Sequence, residues 1–206
     1  KIWDSNPQVI ALADIFSSEL DKIVPDCSGL AILEFGCGTG LVGLRYAAKA
    51  ASVDMVDVSR AMLDVLRTKY EAQASHVTVH EKTLSTLVGQ AIVPESFDWA
   101  ISNNALHHVE DIPALVGQLY RLIKPGGRVT IGELETESGT FHAPEAVPHN
   151  GFDHYALARF FEKGGFTLNK THTYLTMPKE DSDGVNRTYS AFILDATRCF
   201  TKNKAM

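Results

Sequence analysis

The chain has little of what usually assigns a sequence quickly. It holds three cysteines, Cys27, Cys37 and Cys199, in 206 residues. Their number is odd, they are widely spaced and no CxxC occurs, which excludes a disulfide framework and a cysteine-based zinc site. Such usage suits a reducing compartment, and a cytoplasmic location is expected. Of eight histidines, none falls in an HExxH pattern. No apolar run approaches the roughly 20 residues of a membrane span. Basic residues are not in excess: the net charge is −6, which disfavours a broad nucleic-acid footprint. Repeats, low-complexity linkers and an N-terminal signal pattern are all missing. The chain opens on Lys1, which points to a natural start further upstream.

What is present is an ordinary globular composition, 45% apolar and 21% charged. One core at this length buries roughly 70% of the unfolded surface, so neither disulfides nor metals are needed to hold it. A single domain over residues 1–206 is expected: an N-terminal helical cover at 1–28, a cofactor-binding core at 30–135, and an acceptor-side loop, helix and hairpin at 136–206.

Apolar runs and helical spacing alternate along the chain. Strands are predicted at 30–35 (LAILEF), 51–58, 76–81, 97–102 (FDWAIS), 128–134, 166–176 and 187–196. Helices are predicted at 7–22, 40–50, from Ser59 to about 72, at 111–123 behind Asp111, and at 153–163, with loop or short helix at 84–94. The alternation implies an α/β fold: a Rossmann-like, doubly wound, seven-stranded sheet with helices on both faces. The last two strands have no helix between them and should form an antiparallel hairpin at one sheet edge. The polar stretch 135–152 is the longest irregular segment, a frequent place for function.

The first strand runs into a glycine cluster, Glu34-Phe35-Gly36-Cys37-Gly38-Thr39-Gly40, ahead of the helix predicted at 40–50. Glycines there let the backbone take positive φ and approach a ligand. Asp57 ends the next strand, where a carboxylate can accept both ribose hydroxyls. Gly38-Thr39-Gly40-Leu41-Val42-Gly43 also matches the GxGxxG fingerprint of NAD and FAD sites. Glu34 decides against that parse. A carboxylate suits the cationic amino group of S-adenosylmethionine (SAM) and repels a pyrophosphate.

The run ILEFGCGTG resembles motif I of the class I SAM-dependent methyltransferases. FDWAISNNALHHV resembles their fourth-strand motif, and LYRLIKPGGRVTI their fifth-strand motif, over residues 30–196 in all. The small-molecule members are the most similar. The resemblance implies SAM as cofactor, S-adenosylhomocysteine as product and a small-molecule acceptor. By resemblance, Glu34 sits by the methionine amino group. Gly36, Cys37, Gly38 and Gly40 form the loop under methionine and ribose, and Asp57 grips the ribose. Val58 and Met62 pack on adenine, and Asn103 touches the methionine end. Many members place an Asp after the third strand. Here Thr83 stands there, followed by Leu84, for the adenine edge. Trp3 and Asp4 are expected to fold over the cofactor.

Methyl transfer is an in-line displacement at an already activated carbon, so alignment and desolvation do most of the work. A base is needed only when the acceptor must lose a proton. His107 and His108, at the ligand-binding end of the fourth strand, are the candidates, His107 first. Glu133 and Glu135 end the fifth strand and can line an acceptor pocket. His142, His149, Asp153 and His154 gather in the irregular segment, at spacings that match no standard metal set. His149 and His154 are taken as acceptor-side residues and no metal is expected. Two other functions stay open: a non-catalytic SAM-binding subunit, and an NAD-dependent oxidoreductase. The acceptor and the oligomeric state are not encoded in any motif.

Overall fold

The computed structural model describes residues 3–70, 76–88, 92–180 and 184–200. The strands are β1 (Ala31–Phe35), β2 (Ser52–Asp57), β3 (Val77–Glu81), β4 (Phe97–Asn103), β5 (Ile123–Leu134), β6 (Phe166–Glu180) and β7 (Asn186–Arg198). They form one seven-stranded sheet in the order β3-β2-β1-β4-β5-β7-β6. β1 to β5 pair in parallel. β7 runs antiparallel to both neighbours, β5 and β6. The expected edge hairpin is therefore present, with β7 on its inner side. Pro178 lies within β6, which a strand with one free edge tolerates.

The helices are α1 (Pro7–Ile23), α2 (Arg60–Tyr70), α3 (Leu84–Leu87), α4 (Ile112–Leu122) and α5 (His154–Lys163). Their starts arise from local chemistry. Asn6 caps α1 by accepting from the Gln8 amide at 3.0 Å, and Pro7 fills the first helical position. Asp111 and Asp153 cap α4 and α5 in the same way, each at 2.8 Å. The last residues expected in the helix that starts at Ser59, 71–72, lie outside the described residues.

One predicted element is corrected. Residues 40–50 do not form an α-helix; a single 3₁₀ turn, Gly43–Arg45, sits among other turns. Tertiary structure overrides local propensity here. The Gly43 amide donates to the buried Glu34 carboxyl at 3.1 Å, and a Cβ at Gly43 would stand 2.3 Å from that oxygen. The segment wraps a buried polar group instead of winding on. Lys124-Pro125-Gly126-Gly127, expected to be a turn, bulges out between the Phe97–Ile123 and Trp99–Arg128 pairs of the β4–β5 ladder.

Strand alternation divides the core between the two sheet faces. Leu33, Phe35, Ala100, Ile131 and Phe192 face α4 and α5, against Leu119 and Phe161. Ile32, Met55, Trp99, Ile101 and Ile193 face α1 and α2, against Phe16, Leu20 and Leu66. A buried polar chain crosses this second face. Trp99 Nε1 donates to Thr130 Oγ1 at 2.9 Å, Thr130 donates to Asp195 Oδ1 at 2.9 Å, and Asn169 donates to Asp195 Oδ2 at 2.8 Å. Four strands are thereby keyed in register.

Phe16 of α1 is fully buried and seats directly on Gly132 of β5, where a Cβ would lie 2.5 Å from its ring. Gly117, inside α4, has open space around its Cβ position. Gly132→Ala is therefore expected to destabilise by about 1–3 kcal/mol. Gly117→Ala is expected to stabilise by about 0.5–1 kcal/mol. Urea titrations of the two variants give the opposite signs if Phe16 and Gly132 are in the contact stated.

Candidate active site

The carboxyl ends of β1, β2, β4 and β5 converge on one edge of the sheet, where the topology reverses between β1 and β4. The glycine loop leaves β1 there. Gly36, Gly38 and Gly40 have φ of 65°, 52° and 79°. Gly36 comes so close to the turn after β4 that a Cβ would stand 2.2 Å from Ala105 Cβ. Gly38 has nothing within 4 Å of its Cβ position. Cys37 is buried and its thiol is held well above the ordinary range by burial and by Glu34 and Asp57. It serves the loop through its amide, which donates to Val56 O at 3.1 Å.

Asp57, at the end of β2, organises this edge. Its Oδ2 accepts from the Gly38 amide at 2.7 Å and its Oδ1 from the Ser59 amide at 2.8 Å. Each oxygen keeps a further lone pair. Glu34 lies under the loop, 2% exposed, and burial pushes its carboxyl up to about 8. From the N-terminal side comes a 3₁₀ turn, Trp3–Ser5. Asp4 accepts from the Thr39 hydroxyl at 2.6 Å and pairs with Lys69, which also donates to Thr39 O at 2.6 Å. Asp4 is thereby tied to the glycine loop; the Trp3 side chain lies outside what is described.

Val58 is 68% exposed beside the half-buried Met62. Thr83 is exposed and caps α3, accepting from the Thr86 amide at 3.3 Å. The Leu84 side chain turns into the core. Asn103 ends β4, and its Oδ1 is buried without a partner. Next to it, Asn104 holds φ of 51°, uncommon for a residue with a side chain.

Beyond Asn104 the chain makes a 3₁₀ turn, Leu106–His108. His107 and Glu133 are 2% and 0% exposed. His107 Nδ1 lies 3.1 and 3.0 Å from the two Glu133 oxygens, and the His107 amide donates to Oε2 at 3.2 Å. The Leu134 amide adds a fourth contact at 2.8 Å. His108 and His142 each place a ring 4.2 Å from that of His107. Burial and His107 lower both of these imidazoles, His142 to about 4. Gly36 of the glycine loop abuts Ala105, two residues before His107, so the turn that carries the histidines borders the loop.

The segment 135–152 straps across this edge. Its ends are pinned by the Glu135–Phe152 bridge. His149 donates its amide to His107 O at 3.3 Å, and its ring bonds Val109 O at 2.9 Å. His149 therefore holds the strap down. Glu135 is engaged by the Thr173 hydroxyl of β6. His154 is drawn away from the others: it bonds Thr171 Oγ1 at 2.9 Å and lies against Phe192. Among the described residues no three of His, Cys, Asp and Glu are grouped to hold a metal ion. His107, Glu133 and His142 lie far apart in the sequence. Their assembly had no linear signal, because strand pairing and the strap create it.

Comparison with known proteins agrees with this geometry. Residues 32–127 match the family model described as a methyltransferase domain. An uncharacterized methyltransferase of Schizosaccharomyces pombe is 30% identical over 148 residues, covering 68% of this chain and 49% of that protein. The ubiquinone biosynthesis O-methyltransferase of Pseudomonas putida is 30% identical over 129 residues, covering 62% of this chain and 55% of that protein. The chain thus spans about half the length of these relatives. The phosphoethanolamine N-methyltransferase 2 of Haemonchus contortus, solved with SAM, superposes with a TM-score of 0.66 at 18% identity, over 89% of this chain and 52% of that one. The chain thus carries a methyltransferase domain and has the fold of solved SAM-dependent methyltransferases, whose cofactor is SAM.

The residues present fit that cofactor. Asn103 Oδ1 is a buried acceptor lacking a donor, Glu34 offers a carboxyl to a cation, Asp57 has spare lone pairs, and the Cβ position of Gly38 is open. The dinucleotide parse has no support in the backbone. It needs a helix N-terminus over the pyrophosphate, and only a 3₁₀ turn succeeds the loop.

Glu34 makes the ligand-free protein pH-sensitive. Its folded-state pKa is raised from 4.5 to about 8. The unfolded chain therefore releases this proton first, and stability falls as pH rises between those values. Glu34→Gln should flatten that slope and be the more stable protein at pH 8–9, as read by thermal melts without ligand.

Proposed function

We propose that this protein transfers the methyl group of SAM to a small-molecule acceptor through a hydroxyl or amino group, with His107 as the base. The observation that carries this is the buried Glu133–His107 contact beside the glycine loop. SAM, when bound, supplies a methyl group activated for in-line displacement. Asp57 and the glycine-loop amides fix the ribose and methionine ends, while Asn103 Oδ1 and the Glu34 carboxyl receive the methionine ammonium. Val58 and Met62 offer an apolar face to adenine, and the Thr83 backbone its edge.

Glu133 accepts a hydrogen bond from the Nδ1–H of His107, which leaves Nε2 bare to accept a proton from the acceptor. His108 adjoins that ring as a secondary candidate. The ionised Glu133 stabilises the imidazolium that forms, as a buried carboxylate does for any imidazole it orients. The strap keeps water from the transferring group. His149 supports the reading by fixing the strap, whereas His154 supports α5 against β6. The name of the Pseudomonas relative favours oxygen as the methylated atom. None of the described helices is long and apolar enough to cross a membrane, which suits a polar acceptor met in water.

Three outcomes check this. Asp57→Ala should weaken SAM binding at least tenfold by calorimetry. His107→Ala should lower kcat by about 10²–10⁴ on a turned-over hydroxyl acceptor while SAM affinity holds. Glu133→Gln should fall between the two proteins and shift the pH–rate profile. SAM binding with no turnover on any acceptor would identify a binding subunit instead.

A further inference from the structure

The rings at the end of β4 include one that this chemistry leaves unused. His142 rests against His107 at 4.2 Å, with 32° between the ring planes, and its Nε2 is buried with no partner. The side chain is held in place from below. Glu137 Oε2 accepts from the Thr140 and Phe141 amides at 2.8 and 3.1 Å. The Thr140 hydroxyl meets that of Tyr189 at 2.8 Å. Phe141 packs on Tyr189 at 5.0 Å and carries Lys179 Nζ 3.8 Å from its ring centroid. The β6–β7 hairpin thus fixes the strap, and the strap fixes His142.

Burial keeps this imidazole neutral at physiological pH. A neutral ring has one N–H and one bare nitrogen, so its Nε2 can serve a hydroxyl in either tautomer. Buried polar atoms are nearly always partnered, and an orphan beside a reacting group points to a partner that arrives with the ligand. Five of the eight such orphans among the described residues gather here. Ser102 Oγ, Asn103 Oδ1, Asn104 Oδ1, Glu137 Oε1 and His142 Nε2 all belong to the end of β4 or to the strap. Two imidazoles in contact can serve only groups that are themselves neighbours.

We propose that His142 is a specificity-determining residue that hydrogen-bonds a second polar group of the acceptor, adjacent to the one His107 deprotonates. The preferred acceptor then carries two neighbouring hydroxyl or amino groups. The inference rests on the methyltransferase reading and extends its site. A His142 that merely packs would be replaced by phenylalanine without consequence for selectivity.

The test measures methyl transfer from labelled SAM to three pairs: catechol and phenol, 2-aminophenol and aniline, propane-1,2-diol and propan-1-ol. SAM binding is followed by calorimetry on the same samples. The expected result is at least a tenfold preference in kcat/KM for the two-group member of a pair. His142→Phe should cut that preference to below threefold, chiefly through KM, with SAM affinity retained. His142→Gln, which restores a polar group, should keep most of it, and it carries the test if the phenylalanine variant folds poorly. An unchanged preference in His142→Phe overturns the proposal. So does turnover of single-group members at equal rates, or SAM binding with no two-group member methylated. Failure to bind SAM at all takes down the methyltransferase reading itself.

Discussion

Glu133 carries a carboxylate with no exposed surface, and such a group persists in a fold only when donors surround it. Two of its donors belong to His107, one from the backbone and one from the ring, and a third is the amide of Leu134. The carboxylate at the end of β5 therefore dictates where the turn after β4 must lie. That turn carries Ala105, against which the glycine loop closes at Gly36. It also carries the His107 carbonyl, which anchors the strap through His149. The glycine loop, the turn that bears His107 and the strap all take their positions from one buried carboxyl group.

The two covers of the site come from distant parts of the chain and use different chemistry. On the cofactor side, Asp4 ties the N-terminal turn to Thr39 and Lys69 through ion pairing at partly exposed positions. On the acceptor side, the strap is held by aromatic contacts, a bridge and backbone bonds. Salt weakens the first kind of contact far more than the second. The strap thus has the stiffer frame.

Much of the fold is legible in the sequence because each strand announces itself alone. LAILEF and FDWAIS are apolar runs bounded by turn residues, and Asp111 and Asp153 are caps whose bonds are local. The absence of a helix between the last two strands sufficed to predict their hairpin. The failure at 40–50 is equally instructive. Leu41-Val42-Gly43-Leu44 through Ala50 has helical spacing, but a buried Glu34 claims the Gly43 amide across the sheet layer. No local pattern reports such a claim. In the site, the glycine loop and Asp57 are read directly because their chemistry is contiguous with strand ends. The meeting of His107, Glu133 and His142 depends on β4–β5 pairing and on an irregular strap, and spacing is silent about both.

The inner placement of β7 has a consequence for how the molecule is made. β5 pairs with β7 along Arg128–Leu134, and β7 is the last of the described strands. Until residues 186–198 emerge from the ribosome, one side of β5, with Glu133 near its end, has no neighbour. The cofactor-binding strands can pair among themselves well before that. Synthesis thus completes the parallel strands and their glycine loop first, and the edge that carries Glu133 is closed only when β7 joins β5.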